Sequence, residues 1–162
     1  MPATPPSSDK RTIEPMVQKT VANISDAQGS PLAVAIEVSG HHVFGDEPVA
    51  QGGKNLGPTP YDLLTAALGE CTAITIRWYA MREGWPVEHV DVQVRHGKKL
   101  EAGSNQMIDE FHKTISIVAP DLSEAQRQKL FDVAGKCPIH KTLTGTIRIE
   151  TDHGQANNRG TS

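Results

Sequence analysis

The 162-residue chain is short of several features that would define its class at once. It has two cysteines, Cys71 and Cys137, too few for a disulfide scaffold, so a reducing, cytoplasmic setting is expected. It lacks a basic stripe: 16 Lys and Arg stand against 19 Asp and Glu, for a formal net charge of −3. Proteins that bind nucleic acid or a membrane surface concentrate positive charge on one face, so neither partner is expected. No apolar run approaches the roughly 20 residues of a membrane span. The opening MPATPPSSDKRTIEP has no apolar segment and does not read as a secretory signal. P-loop and dinucleotide fingerprints are missing, since GGKNLG at 52–57 has neither the spacing nor the strand–turn–helix setting. There is no internal repeat.

What is present is enough chain for one core. Residues 1–15 are rich in Pro, Ser and Thr and read as a disordered arm, and 154–162 as a disordered tail, leaving a single domain at 16–153. Period-two apolar patterns at 17–24 and 32–38, joined by DAQGSP, predict a hairpin, and HHVF at 41–44 a third short strand. GPTPYDLLTAALGECTAITIRWYA then predicts a long helix, with Thr59 as N-cap, Pro60 and Asp62 in its first turn, and a stop near Gly84. Strands are expected at 87–96 and 111–119, joined by the polar loop 97–109. Ser123 and Gln126 form a capping-box signature opening a second, amphipathic helix, and TGTIRIET at 144–151 predicts a last strand. The fold class expected is α+β, an antiparallel sheet with two main helices, the first central and buried. That first helix is apolar nearly all round; a sheet can cover one side, and a second subunit is the natural cover for the other.

Two sites could carry chemistry. Cys71 is either a small core residue or a thiol presented at a polar opening marked by Glu70 and Arg77. Cys137 precedes Pro138, a residue suited to the first helical position, so it stands either at a helix N-terminus that favours a thiolate or in a turn without a role. A metal site from Cys137, His140 and Cys71 would lack a fourth ligand, and a Cys–His hydrolase would lack a nucleophile elbow.

GPTPYDLLTAALGEC followed by GKCPIHKTL resembles the OsmC/Ohr superfamily of osmotically inducible and organic hydroperoxide resistance proteins. DEPVAQGG and RWYAMREGWPVEHVDV resemble its OsmC-like redox branch most, and the resemblance spans residues 30–151. It implies an intertwined homodimer with central helices clasped by sheets and active sites at the subunit interface. It also implies thiol-dependent reduction of organic hydroperoxides, with no cofactor and an external dithiol as reductant. Carried over, Cys71 is the attacking residue and Cys137 the resolving one, closing a Cys71–Cys137 disulfide. The family's activating Arg has no counterpart between Arg11 and Arg77; its helical Glu position holds Tyr61, with Asp62 next. Asp62 is therefore the candidate catalytic carboxylate, Lys54 a candidate cation, and Tyr61, Leu64 and Leu68 the candidate substrate contacts. The alternatives are a non-catalytic protein that binds a hydrophobic ligand and a Cys/His metal-binding protein.

Overall fold

A computed structural model describes residues 20–154; the arm at 1–15, the start of the strand expected at 17–24 and most of the tail lie outside the described residues. The chain divides into two compact units, one ending at Thr59 and the other beginning at Pro60.

The N-terminal unit is an antiparallel meander of β1 (Ala22–Asp26), β2 (Val34–Val38) and β3 (His41–Gly45). Ile24 pairs with Ile36, which pairs with Val43. Ser39 and Gly40, both at positive φ, make the two-residue turn between β2 and β3, whose twist matches that of the strands. Past β3, the Asp46 carboxylate accepts the backbone N–H groups of Glu47 (2.9 Å), Lys54 (3.0 Å) and Leu56 (3.2 Å) and the Ser30 hydroxyl (2.9 Å). Burial pushes this carboxyl up, but the four donors outweigh it and hold it below its ordinary value. The glycines of GGKNLG serve this loop. A Cβ at Gly53 would lie 1.8 Å from the Glu47 carbonyl oxygen, and one at Gly57 2.0 Å from that of Phe44.

The C-terminal unit opens with α1 (Pro60–Glu83), followed by β4 (His89–Leu100), β5 (Met107–Val118), α2 (Glu124–Ala134) and α3 (Pro138–Thr144). Helix α1 stops where Gly84 turns left-handed, at φ 68°. The Trp85 N–H reaches back to Ala80 O (2.8 Å) and the Gly84 N–H to Met81 O (3.2 Å), a Schellman cap. The buried stripe of α1 is Leu68, Thr72, Ile76 and Ala80, one residue per turn. Ile76 and Ala80 join Ala119, Leu122, Leu130 and Ala134 in the core, with Val90, Ile115 and Ile117 packed against it. The opposite face of α1 is open in the single chain, with Ile74 and Trp78 each 58% exposed.

Two features depart from the sequence reading. The β4–β5 hairpin extends through most of the polar stretch expected as a loop, to the Leu100–Met107 pair. Cross-strand charges hold it there: Asp109 meets His96 (2.8 Å) and Lys98 (3.2 Å), and Glu110 meets Lys99 (3.3 Å). The strand expected at 144–151 does not form. Thr144 closes α3, residues 145–154 are neither helix nor strand, and Ile149 is 85% exposed. An alternating segment becomes a strand only against a partner edge, and none pairs with it among the described residues. The mixed α/β architecture with antiparallel sheets stands, with three helices in place of two. No helix among the described residues is long and apolar enough to cross a membrane.

Candidate functional site

Cys71 sits one residue off the buried stripe of α1, half-buried, beside Thr72. The Thr72 and Thr75 hydroxyls each donate to the carbonyl four residues earlier, Leu68 O and Cys71 O, both at 2.7 Å. Cys137 is the N-cap of α3 and fully buried. Pro138 at the first position has no N–H, so the first free donors of α3 are Ile139 and His140. These two donors are divided between the sulfurs: Ile139 N–H donates to Cys71 Sγ at 3.5 Å and His140 N–H to Cys137 Sγ at 3.3 Å.

Cys137 Sγ also lies 3.6 Å from Thr72 Oγ1. Lys113 Nζ from β5 donates to the same hydroxyl oxygen, Thr72 Oγ1 (3.3 Å), and to Ala134 O (2.9 Å). Burial pushes the Cys137 thiol up, but hydrogen bonds from Thr72, His140 and Cys71 and the Lys113 charge outweigh it, leaving Cys137 below the usual thiol value. At Cys71 burial also leads; the Ile139 N–H opposes it, the Cys137 sulfur that takes its hydrogen bond adds to it, and Cys71 stays above the usual value.

Cys71 opens onto a groove of about 550 Å³, lined by Ala67, Ile74, Trp78, Pro138 and Ile139, with Glu70 and Lys136 as its charged members. Tyr61, Leu64 and Leu68 line a different cavity, about 380 Å³, together with Phe111, Lys113 and His140. There Tyr61 stacks on His96 at 4.5 Å and 7°. Asp62, in the first turn of α1, borders a third pocket with Glu70 and Val94. The chain therefore brings Cys71 and Cys137 together and places Asp62, Tyr61, Leu64 and Leu68 elsewhere on α1. Arg77 is engaged away from Cys71, its guanidinium donating to Val87 O (2.6 Å) and Glu88 O (3.0 Å). Lys54 lies in the N-terminal unit, its backbone N–H on Asp46. Among the described residues no three His, Cys, Asp or Glu are grouped to hold a metal ion, and His140 meets Cys137 through its backbone N–H.

Sequence reasoning missed Thr72 and Lys113. The signal for Lys113 was in the strand: FHKTISI places it in phase with Phe111, Ile115 and Ile117, the half-buried positions of β5. A lysine on the apolar beat of a strand needs a partner inside.

The fold is shared with solved structures. An organic hydroperoxide resistance protein OsmC from Legionella pneumophila is 17% identical, with a TM-score of 0.60 over 80% of this chain and 91% of that one. An OsmC-like protein from Mycoplasma pneumoniae is 19% identical, with a TM-score of 0.60 over 80% and 90%. The organic hydroperoxide resistance protein OhrB of Bacillus subtilis is 16% identical, with a TM-score of 0.54 over 79% and 92%. No match is found among curated proteins. The family model of the OsmC-like proteins matches residues 52–152, a span that holds both cysteines, all three helices and the long hairpin; the chain belongs to the OsmC-like family.

Proposed function

We propose that the protein reduces hydrophobic organic hydroperoxides through Cys71 and Cys137, without a cofactor. The Cys71 thiolate attacks the peroxide oxygen, the O–O bond breaks, the alkoxide is protonated and leaves as alcohol, and Cys71 is left as a sulfenic acid. Cys137 then attacks the Cys71 sulfur, hydroxide leaves as water, and the disulfide awaits an external dithiol. The observation that carries this reading is the placement of both sulfurs on consecutive N–H groups of α3, with the more accessible Cys71 facing an apolar groove. Two solved structures of the same fold bear the name organic hydroperoxide resistance protein, which supports the same substrate class. An apolar groove favours an alkyl or aryl peroxide over hydrogen peroxide. In this reading the peroxide enters by the groove at Cys71, and Asp62, Tyr61, Leu64 and Leu68, which border the other two pockets, are given no contact with it.

A second copy of the chain completes the molecule in this proposal. The open face of α1 and the unpaired 144–151 segment are apolar surfaces that an intertwined homodimer would cover. The setting is the cytoplasm, where dithiol reductants are at hand.

The test is to treat the reduced protein with stoichiometric cumene hydroperoxide and map disulfides by mass spectrometry. A Cys71–Cys137 bridge is expected; two free thiols with the peroxide unconsumed would overturn the proposal. Cys71→Ser is expected to abolish consumption, and Cys137→Ser to allow one turnover followed by over-oxidation of Cys71. The raised Cys71 thiol favours a second reading, a groove that binds an apolar ligand without chemistry. Peroxide consumption unchanged in a Cys71→Ala/Cys137→Ala variant would make that the better account.

A further inference from the structure

Lys113 is out of character for its position. The half-buried face of the hairpin pairs Val90 with Ile117, Val92 with Ile115, Val94 with Lys113 and His96 with Phe111. Lys113 is half-buried and borders the cavity it shares with Leu64, Leu68, Phe111, Asp109 and His140, and both oxygens its ammonium reaches, Ala134 O and Thr72 Oγ1, are neutral. The positive charge stands one hydroxyl away from Cys137 Sγ.

Thr72 has one proton and two lone pairs, and three claims on them: Leu68 O at 2.7 Å, Lys113 Nζ at 3.3 Å and Cys137 Sγ at 3.6 Å. While Cys137 is a thiol, the hydroxyl proton goes to Leu68 O and the oxygen can accept the S–H. Once Cys137 is a thiolate, the same proton can turn to sulfur. Donation from Lys113 into a lone pair polarises the O–H and favours that second arrangement.

We propose that Lys113, acting through the Thr72 hydroxyl, is the positioning residue that holds Cys137 as the thiolate for disulfide exchange with Cys71. This rests on the peroxide-reducing reading for its place in the cycle. In the resolving step the Cys137 thiolate attacks the sulfur of the Cys71 sulfenic acid; the S–S bond forms, the S–O bond breaks, and hydroxide leaves and takes a proton to become water. In the reducing step an external dithiol supplies two electrons. One of its thiolates attacks Cys71, the sulfur that borders the groove, and the S–S pair of electrons departs on Cys137. The second thiolate then displaces Cys71 from the mixed disulfide. A stabilised thiolate leaves faster, so the same device serves both steps.

The groups facing Cys137 are Cys71 and Thr72 on α1, Lys113 on β5 and the His140 N–H on α3; of these the titratable side chains are Cys71 and Lys113. The ionisation of Cys137 is therefore read without peroxide, in a Cys71→Ser background, from ultraviolet thiolate absorbance against pH. Lys113→Met is expected to raise the midpoint by about one pH unit, and Lys113→Arg to restore it. Thr72→Val, with Lys113 intact, is expected to raise it too, and stands in if Lys113→Met does not fold. With both cysteines present, Lys113→Met is expected to slow conversion of dimedone-trappable Cys71 sulfenate to disulfide near neutral pH, by at most the roughly tenfold that a one-unit change allows. A midpoint unmoved in both Lys113→Met and Thr72→Val, or a Lys113→Arg variant no better than Lys113→Met, would overturn the assignment. A shifted midpoint in a protein that never forms sulfenate would uphold Lys113 and sink the peroxide reading instead.

Discussion

Cys71 and Cys137 carry the same group and meet opposite surroundings. Burial disfavours the Cys71 anion and the neighbouring Cys137 sulfur adds to that, so the thiol stands above its usual value despite the Ile139 N–H. With its value raised, Cys71 is a thiol at neutral pH, and its reaction with peroxide in a single turnover is expected to climb through the alkaline range rather than level off near neutrality. Removing the neighbouring sulfur lowers that barrier: Cys137→Ala is expected to speed alkylation of Cys71 at neutral pH a few-fold. Rapid-mixing assays and iodoacetamide labelling followed by mass spectrometry check the two outcomes. Asp46 illustrates the reverse sign. Its folded value is depressed, so its contribution to stability is full above the unfolded carboxylate value, about 3.9, and is lost as pH falls through the folded value. Asp46→Ala leaves three backbone N–H groups without their acceptor and is expected to lower the thermal midpoint by several degrees at pH 7, with a smaller deficit in acid.

The elements whose ends are set by local chemistry were legible in the sequence. Ser123 and Gln126 form the capping box they spell, and Pro138 sits at the first turn of α3 with Cys137 as N-cap. Ser123→Ala is expected to cost about 1 kcal/mol in urea unfolding, the usual worth of such a cap. Ile76, fully buried in the α1 stripe, is expected to cost about 2–5 kcal/mol as Ile76→Ala. The ends of β4 and β5 were not legible. Lys98, Lys99, Asp109 and Glu110 carry no apolar alternation, and what makes them strand is pairing with one another across the hairpin. TGTIRIET shows the opposite failure: its alternation is clear, yet a pattern supplies only one edge of a sheet.

At the scale of the whole molecule, the single chain leaves apolar surface on α1 and on the 144–151 segment. A homodimer is expected to sediment as twice the chain mass, with a thermal midpoint that rises with protein concentration. Trp78→Glu, which puts a charge on the open face of α1, is expected to shift sedimentation to the monomer; a wild-type chain monomeric at micromolar concentration would remove the basis for a shared site.

The sequence by itself determined the α1 helix, its stop at Gly84, the class of fold and the two cysteine motifs, because these follow from neighbours along the chain. Tertiary structure alone decided which thiol is lowered and which is raised. That depends on a lysine from β5, a hydroxyl from α1 and two N–H groups from α3 meeting within a few ångströms, and electrostatic energy depends on distance in space, which sequence spacing does not give.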